Sequence, residues 1–193
     1  MERAVFLDRD GTINELVYNA DEDVLDSPFT ARRFRLMPRV AEAIKRVKRV
    51  GYLAVVVSNQ PAIAKKKMTA KAFGEINKKM VAELKRKGAA LDGVYYCLHH
   101  PKSKIKKYKK KCSCRKPKPG LLRMAARGLN INLRKSYMIG DSWMDVVAGK
   151  KAGCITILIG NKEKCDMCKL LIEKDAKPNY IVNNLYEAVK KIK

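Results

Sequence analysis

The sequence predicts an α/β fold: a mainly parallel sheet with helices on both faces. Three observations point there. Short apolar runs alternate with helix-length segments along the whole chain. Carboxylate and hydroxyl side chains cluster where those runs end, the edge at which open α/β sheets hold ligands. The two longest connections, Arg9 to Met37 and Leu98 to Lys118, leave that same edge, and long loops in compact domains are usually functional or disordered.

Each element has its own signal. Ala4–Leu7 is uniformly apolar and reads as a buried first strand. A helix is expected from about Pro38, a residue favoured in a first turn. Val40, Ile44 and Val47 give it one apolar face and Gly51 stops it. Leu53–Val57 is a second buried strand. Thr69 is a suitable N-cap for a helix carrying Phe73, Ile76, Met80 and Leu84 on one side, ended by Gly88. Gly93–Cys97 reads as a third strand, Pro119 to Gly128 as a helix and Tyr137–Ile139 as a fourth strand. A helix from about Trp143 to Ala152 precedes a fifth strand at Cys154–Ile159. Asn179–Val182 reads as a sixth strand before a last helix at Leu185–Ile192. No internal repeat or linker divides the chain, so residues 1–193 are expected to form one domain.

Composition narrows the function. The formal net charge is +24, from 43 Lys and Arg against 19 Asp and Glu. Such a balance attracts polyanions and phosphorylated metabolites but says nothing about fold. The stretch Lys102 to Lys118 alone carries nine Lys and one Arg. No apolar run is long enough to cross a membrane. The N-terminus leads straight into a strand, without a secretion signal, so the cytoplasm is the expected location. Six Cys in that setting favour metal binding over disulfides.

The chemistry concentrates at four strand ends. Asp8-Arg9-Asp10-Gly11-Thr12 follows the first strand, Ser58-Asn59-Gln60 the second and Asp141, with Asp145, the fourth. Arg115 and Lys116 enter from the loop after the third. The first carboxylate of the leading motif can attack phosphorus, and the second can protonate a leaving oxygen and then deprotonate water. Asp8 and Asp141, with the main-chain carbonyl of Asp10, offer hard oxygen ligands for Mg²⁺. Clustered carboxylates repel strongly at low dielectric, and a cation relieves them. Ser58 and Lys116 can hold phosphoryl oxygens.

These four segments resemble the signature of the haloacid dehalogenase superfamily of phosphohydrolases, across residues 4–153. The resemblance implies a Rossmann-like fold and an aspartyl-phosphate on Asp8, with Asp10 as general acid/base. It implies Mg²⁺ on Asp8, Asp10 and Asp141, phosphate contacts from Thr12, Ser58, Asn59, Gln60, Arg115 and Lys116, and support from Asp145. Only 47 residues lie between Asp10 and Ser58, so no separate cap domain is expected.

The second long loop holds Cys97, His99, Cys112 and Cys114: two C-x-H and C-x-C pairs separated by twelve residues. Three thiolates and an imidazole suit a closed, structural zinc site, with His100 as an alternative ligand that is better read as packing on Pro101. The loop then runs into Cys114-Arg115-Lys116-Pro117. That combination resembles the heptose bisphosphate and histidinol phosphatase branch of the superfamily. It implies a monomeric enzyme acting on a small phosphorylated metabolite, with D-glycero-D-manno-heptose 1,7-bisphosphate first and histidinol phosphate second. The chain departs from the heptose pattern at Ser142, where a basic residue is usual, at Pro61-Ala62, and at Lys65-Lys66. A nucleic-acid 3′-phosphatase would also suit the charge, yet no aromatic-basic platform is visible. Cys165 and Cys168 form a C-x-x-C without a partner pair, and Cys154 reads as strand core.

Overall fold

The computed structural model of the chain describes residues 1–20, 23–160 and 177–193. Six strands form one parallel sheet: β1 (Ala4–Leu7), β4 (Leu53–Asn59), β5 (Gly93–Cys97), β6 (Tyr137–Gly140), β7 (Ile155–Ile159) and β8 (Tyr180–Val182). Their order across the sheet is β5-β4-β1-β6-β7-β8. The chain therefore builds outward from β1 on one side and then returns to build outward on the other. The crevice beside β1 is the switch point at which such sheets bind ligands.

Alternation along the strands explains the layers. Val5, Leu7, Ala54 and Val56 face one core, packed by α1 (Val40–Arg49), α2 (Ala70–Arg86) and the C-terminal α5 (Leu185–Ala188). Ala4, Phe6, Val55 and Val57 face the other, with Leu121, Leu122 and Ala125 of α3 (Gly120–Gly128) and Ala148 of α4 (Trp143–Ala152). A strand buried on both sides needs apolar residues at every position, and the uniform runs supply them.

The expected elements are present, with differences at their edges. The first helix begins at Val40, two residues after Pro38, because Arg39 adopts the left-handed conformation (φ 60°) and lays its guanidinium 3.4 Å above the Tyr186 ring. Thr69 caps α2 by accepting from Ala72 N at 3.1 Å. The last helix is shorter than expected: α5 ends at Ala188 and tightens into a 3₁₀ turn over Val189–Lys191. The connection from Arg9 to Met37 is not structureless. It contains the antiparallel hairpin of β2 (Val17–Asn19) and β3 (Val24–Asp26), and a 3₁₀ turn at Ala31–Arg33. Three-residue strands carry too little alternation to register as strands. Cys154 is buried just before β7. Cys165 and Cys168 lie outside the described residues.

Among the described residues, no helix is long and apolar enough to cross a membrane.

Candidate active site and metal cluster

Parallel strands deliver their C-terminal ends to one edge, so residues distant in sequence converge there. Asp8 follows β1 and Asp141 follows β6. Asp145 sits in the first turn of α4. One carboxylate oxygen from each lies within 4.8 Å of the other two. Ser142 caps α4 by accepting from Met144 N at 3.1 Å, while its own N–H donates to Asp145 at 3.1 Å. That capping box fixes where the Asp145 carboxylate points. It also gives Ser142 a structural task on the helix end.

Lys116 is the cation of the cluster. Its side chain is 2% exposed, and its ammonium lies 2.9 Å from Asp8 Oδ1, beside Asp145 Oδ1, and donates to Val57 O at 2.9 Å. All three donors of the ammonium are thereby engaged. Burial pulls the amine down, but Asp145 and Asp8 outweigh it and hold Lys116 above its ordinary value. The carboxyls are raised as well, which for an acid favours the neutral form. Burial, then Asp8 and Asp145, push Asp141 up to about 8, and burial and Asp8 push Asp145 up to about 7 against the pull of Lys116.

Gly11 is set by close approach. Its φ is +78°, and a Cβ there would fall 2.0 Å from Asp141 Oδ2. Only glycine lets this turn lie against that carboxylate. Three converging carboxylates that repel one another, in a cradle closed by a bare backbone, fit a small divalent cation.

The remaining expected site residues divide into two groups. Ser58 and Gln60 stand at the end of β4, with Gln60 Nε2 donating to Ser58 Oγ at 3.1 Å and to Asp10. Asn59 faces the protein: it accepts from Lys116 N and donates to Lys116 O, both at 3.0 Å. It clamps the residue that carries the ammonium, and a role on phosphate is not what its amide is doing here. Thr12 is 2% exposed and its hydroxyl has no hydrogen-bond partner. Arg115 reaches back to the carbonyl of His99 at 3.5 Å. The carboxylate of Asp10 is not in the acidic triad. It turns instead toward Arg9, Asn14 and Gln60. Sequence reasoning left Arg9 and Asn14 without a role. The available signal was an arginine lodged between two carboxylates, opposite Phe73 and Asn77 one helical turn apart.

Cys97, His99, Cys112 and Cys114 also meet, all within 4.8 Å. Cys97 Sγ lies 3.5 Å from Cys112 Sγ and 3.3 Å from Cys114 Sγ, and His99 Nδ1 lies 3.3 Å from Cys114 Sγ. The thiols are free. Ligand bonds of about 2.3 Å in a tetrahedron put sulfurs a little under 4 Å apart, so the four atoms match a zinc shell in kind and spacing. His100 stands outside, accepting from Lys102 N at 3.2 Å. The loop is tied to the next helix at Gly120, whose N–H donates to Ser113 O at 3.1 Å and where a Cβ would come within 2.4 Å of that oxygen.

A doubly covered parallel sheet with an acidic triad and buried lysine at its switch point is the arrangement of a metal-assisted hydrolase. A family model described as haloacid dehalogenase-like hydrolase matches residues 12–150, and the chain belongs to that family. A second model, HAD-hydrolase-like, matches residues 113–188. Among curated proteins, the D-glycero-beta-D-manno-heptose-1,7-bisphosphate 7-phosphatase of Photorhabdus laumondii is 37% identical, over 98% of this chain and 95% of its own. The protein of that name from Vibrio cholerae is 40% identical over 81% of this chain and 80% of its own. Among solved structures, the D,D-heptose 1,7-bisphosphate phosphatase of B. bronchiseptica, complexed with magnesium and phosphate, superposes with a TM-score of 0.78 at 25% identity, over 98% of this chain and 97% of that one.

Proposed function

We propose that this protein is a Mg²⁺-dependent phosphomonoesterase that removes the 7-phosphate of D-glycero-D-manno-heptose 1,7-bisphosphate. The observation that carries the chemistry is Lys116 Nζ at 2.9 Å from Asp8 Oδ1, with Asp8, Asp141 and Asp145 gathered around it. The substrate rests on the names of relatives 34–37% identical over 98% of this chain, and of one 40% identical over 81% of it.

Asp8 attacks phosphorus and becomes esterified, while Lys116 and Ser58 hold the transferring oxygens. Asp10 gives a proton to the departing sugar oxygen and then takes one from the water that releases phosphate. Asp8 and Asp141, with the carbonyl of Asp10, would hold Mg²⁺, which neutralises charge on the phosphoryl group. Asp145 keeps Lys116 in place. The chain works as a single domain without a separate cap, as a monomer, in the cytoplasm.

The test is phosphate release from heptose 1,7-bisphosphate, histidinol phosphate and a 3′-phosphorylated oligonucleotide. The heptose ester should be hydrolysed fastest. Preference for the oligonucleotide, with steep salt dependence, would move the protein to another substrate class.

Mg²⁺ binding should be visible without turnover. A carboxyl whose folded value lies above its unfolded one stabilises the fold at low pH, and that stability is lost as pH rises through the folded value. With Asp141 up to about 8 and Asp145 up to about 7, the metal-free protein should lose stability from about pH 4 to pH 8. The rise in Tm on adding Mg²⁺ should therefore be larger at pH 8 than at pH 5. An equal rise at both would exclude the Asp141 carboxyl from the site.

A zinc at Cys97, His99, Cys112 and Cys114 would order a lysine-rich loop that has little apolar surface of its own. Elemental analysis should give about one zinc per chain, the capacity of one four-ligand site. Cys112→Ser should lower zinc content, Tm and kcat together, kcat by roughly 10–100-fold as for other metal-site defects. A zinc-free variant with normal Tm and rate would remove the loop from the account.

A further inference from the structure

Arg9 is wholly buried (0% exposed), yet no step above uses it. Its guanidinium makes a fork to Asp10: Nε donates to Oδ1 at 3.1 Å, and one terminal nitrogen donates to Oδ1 at 3.0 Å and Oδ2 at 3.1 Å. That same nitrogen donates to Gln60 Oε1 at 2.8 Å. The other reaches Asn77 Oδ1 at 3.4 Å. Phe73 and Tyr96 line its faces, with ring centroids 5.8 and 5.7 Å from the guanidinium carbon. Burial alone would pull the guanidinium down; Asp10 and Tyr96 outweigh it and hold Arg9 above its ordinary value. Burial also pushes the Tyr96 phenol up to about 12, so it stays a donor, to Asn77 Oδ1 at 2.8 Å.

The surroundings of Asp10 are one-sided. Every side chain bonded to its carboxylate donates: Arg9, Asn14 Nδ2 at 3.0 Å, and Gln60 Nε2. Neither amide can turn round. Asn14 Nδ2 also donates to Glu15 O at 2.9 Å, so a flip would set oxygen against oxygen. Gln60 Oε1 accepts from Arg9, so a flip would set its NH₂ against the guanidinium.

We infer that Arg9 is a positioning residue that fixes the Asp10 side chain in the orientation that serves the water-activating half of the reaction. The inference rests on the aspartyl-phosphate reading above. In the first half, Asp8 forms a bond to phosphorus, the bond from phosphorus to the sugar oxygen breaks, and that oxygen takes the proton of Asp10. In the second half, water forms a bond to phosphorus and gives a proton to the Asp10 carboxylate, and the Asp8–phosphorus bond breaks. The second half needs Asp10 held in place toward the attacking water, which is what the Arg9 fork supplies.

The two halves separate with p-nitrophenyl phosphate, whose leaving group needs no proton. Arg9→Met should give a burst of about one nitrophenolate per chain and a steady rate at least about tenfold below wild type, within what a positioned general base contributes. Acid quenching should trap phosphate on the protein. Arg9→Lys, which keeps the cation but not the fork, should fall between Arg9→Met and wild type. Asn77→Ala leaves Arg9 in the chain, removes one of its anchors, and should show a smaller burst of the same kind. If Arg9→Met does not fold, the other two variants decide. A parallel slowing of both halves, with no trapped phosphate in any folded variant, would make Arg9 a structural residue and overturn the inference. If wild-type protein releases phosphate from no ester, the phosphatase reading itself fails, which is a different result.

Discussion

Replacing Asp8 with Asn is expected to abolish turnover and leave the fold intact. An amide has nearly the shape of the carboxylate but cannot form the acyl phosphate, and loss of a covalent nucleophile costs on the order of 10⁴-fold or more in kcat. The fold should not suffer, for an electrostatic reason. Asp8 is one of three carboxylates within 4.8 Å of each other, so removing its charge relieves repulsion on Asp141 and Asp145. Its contacts are modest: Arg9 N donates to Oδ1 at 2.7 Å, and Lys116 keeps Asp145 as a partner. Phosphate release and thermal melting on the same sample check both halves of the expectation. A variant that still turns over would remove Asp8 as nucleophile.

Lys116→Met should damage activity and stability together. The ammonium is buried between Asp8 and Asp145, and Asp145 is 1% exposed. Removing one member of a buried ion pair typically costs about 3–5 kcal/mol, because the other charge is stranded. Asp145 can escape part of that cost by taking a proton, since it already lies up at about 7, so the loss should be smaller below neutral pH. Turnover should fall by about 10²-fold or more, the scale for losing one preorganised charge contact. A second substitution separates the effects. Adding Asp145→Asn removes the stranded charge and should restore much of the stability but none of the rate. Denaturant melts of the single and double variants measure this. Additive losses would show that the two side chains are not coupled.

The layout of the fold was legible because its signals are local. Ala4–Leu7 and Leu53–Val57 must be apolar throughout to lie in a doubly covered sheet, and Thr69 and Gly88 mark the ends of α2 by cap chemistry. The acidic site was legible for a related reason: parallel strands carry Asp8, Ser58 and Asp141 to one edge once the strands are placed. What stayed hidden depended on side-chain direction. Nothing in the spacing of Asp10 says that its carboxylate turns away from Asp141 and toward Arg9, since that choice is made by Asn77, Tyr96 and Gln60 packing from three other elements. Asn59 looked like a phosphate contact and is a backbone clamp on Lys116. The hairpin at β2 and β3 escaped because two three-residue strands pair through backbone hydrogen bonds that leave little trace in composition.

Cys114 and Lys116 are separated by a single residue. If the cysteine–histidine cluster holds zinc, as proposed, a cell starved of that metal would make chains with an intact nucleophile and no reliable grip on the group being transferred. Supply of one trace element would set how much of the enzyme pool is competent, with no change in how much protein is made.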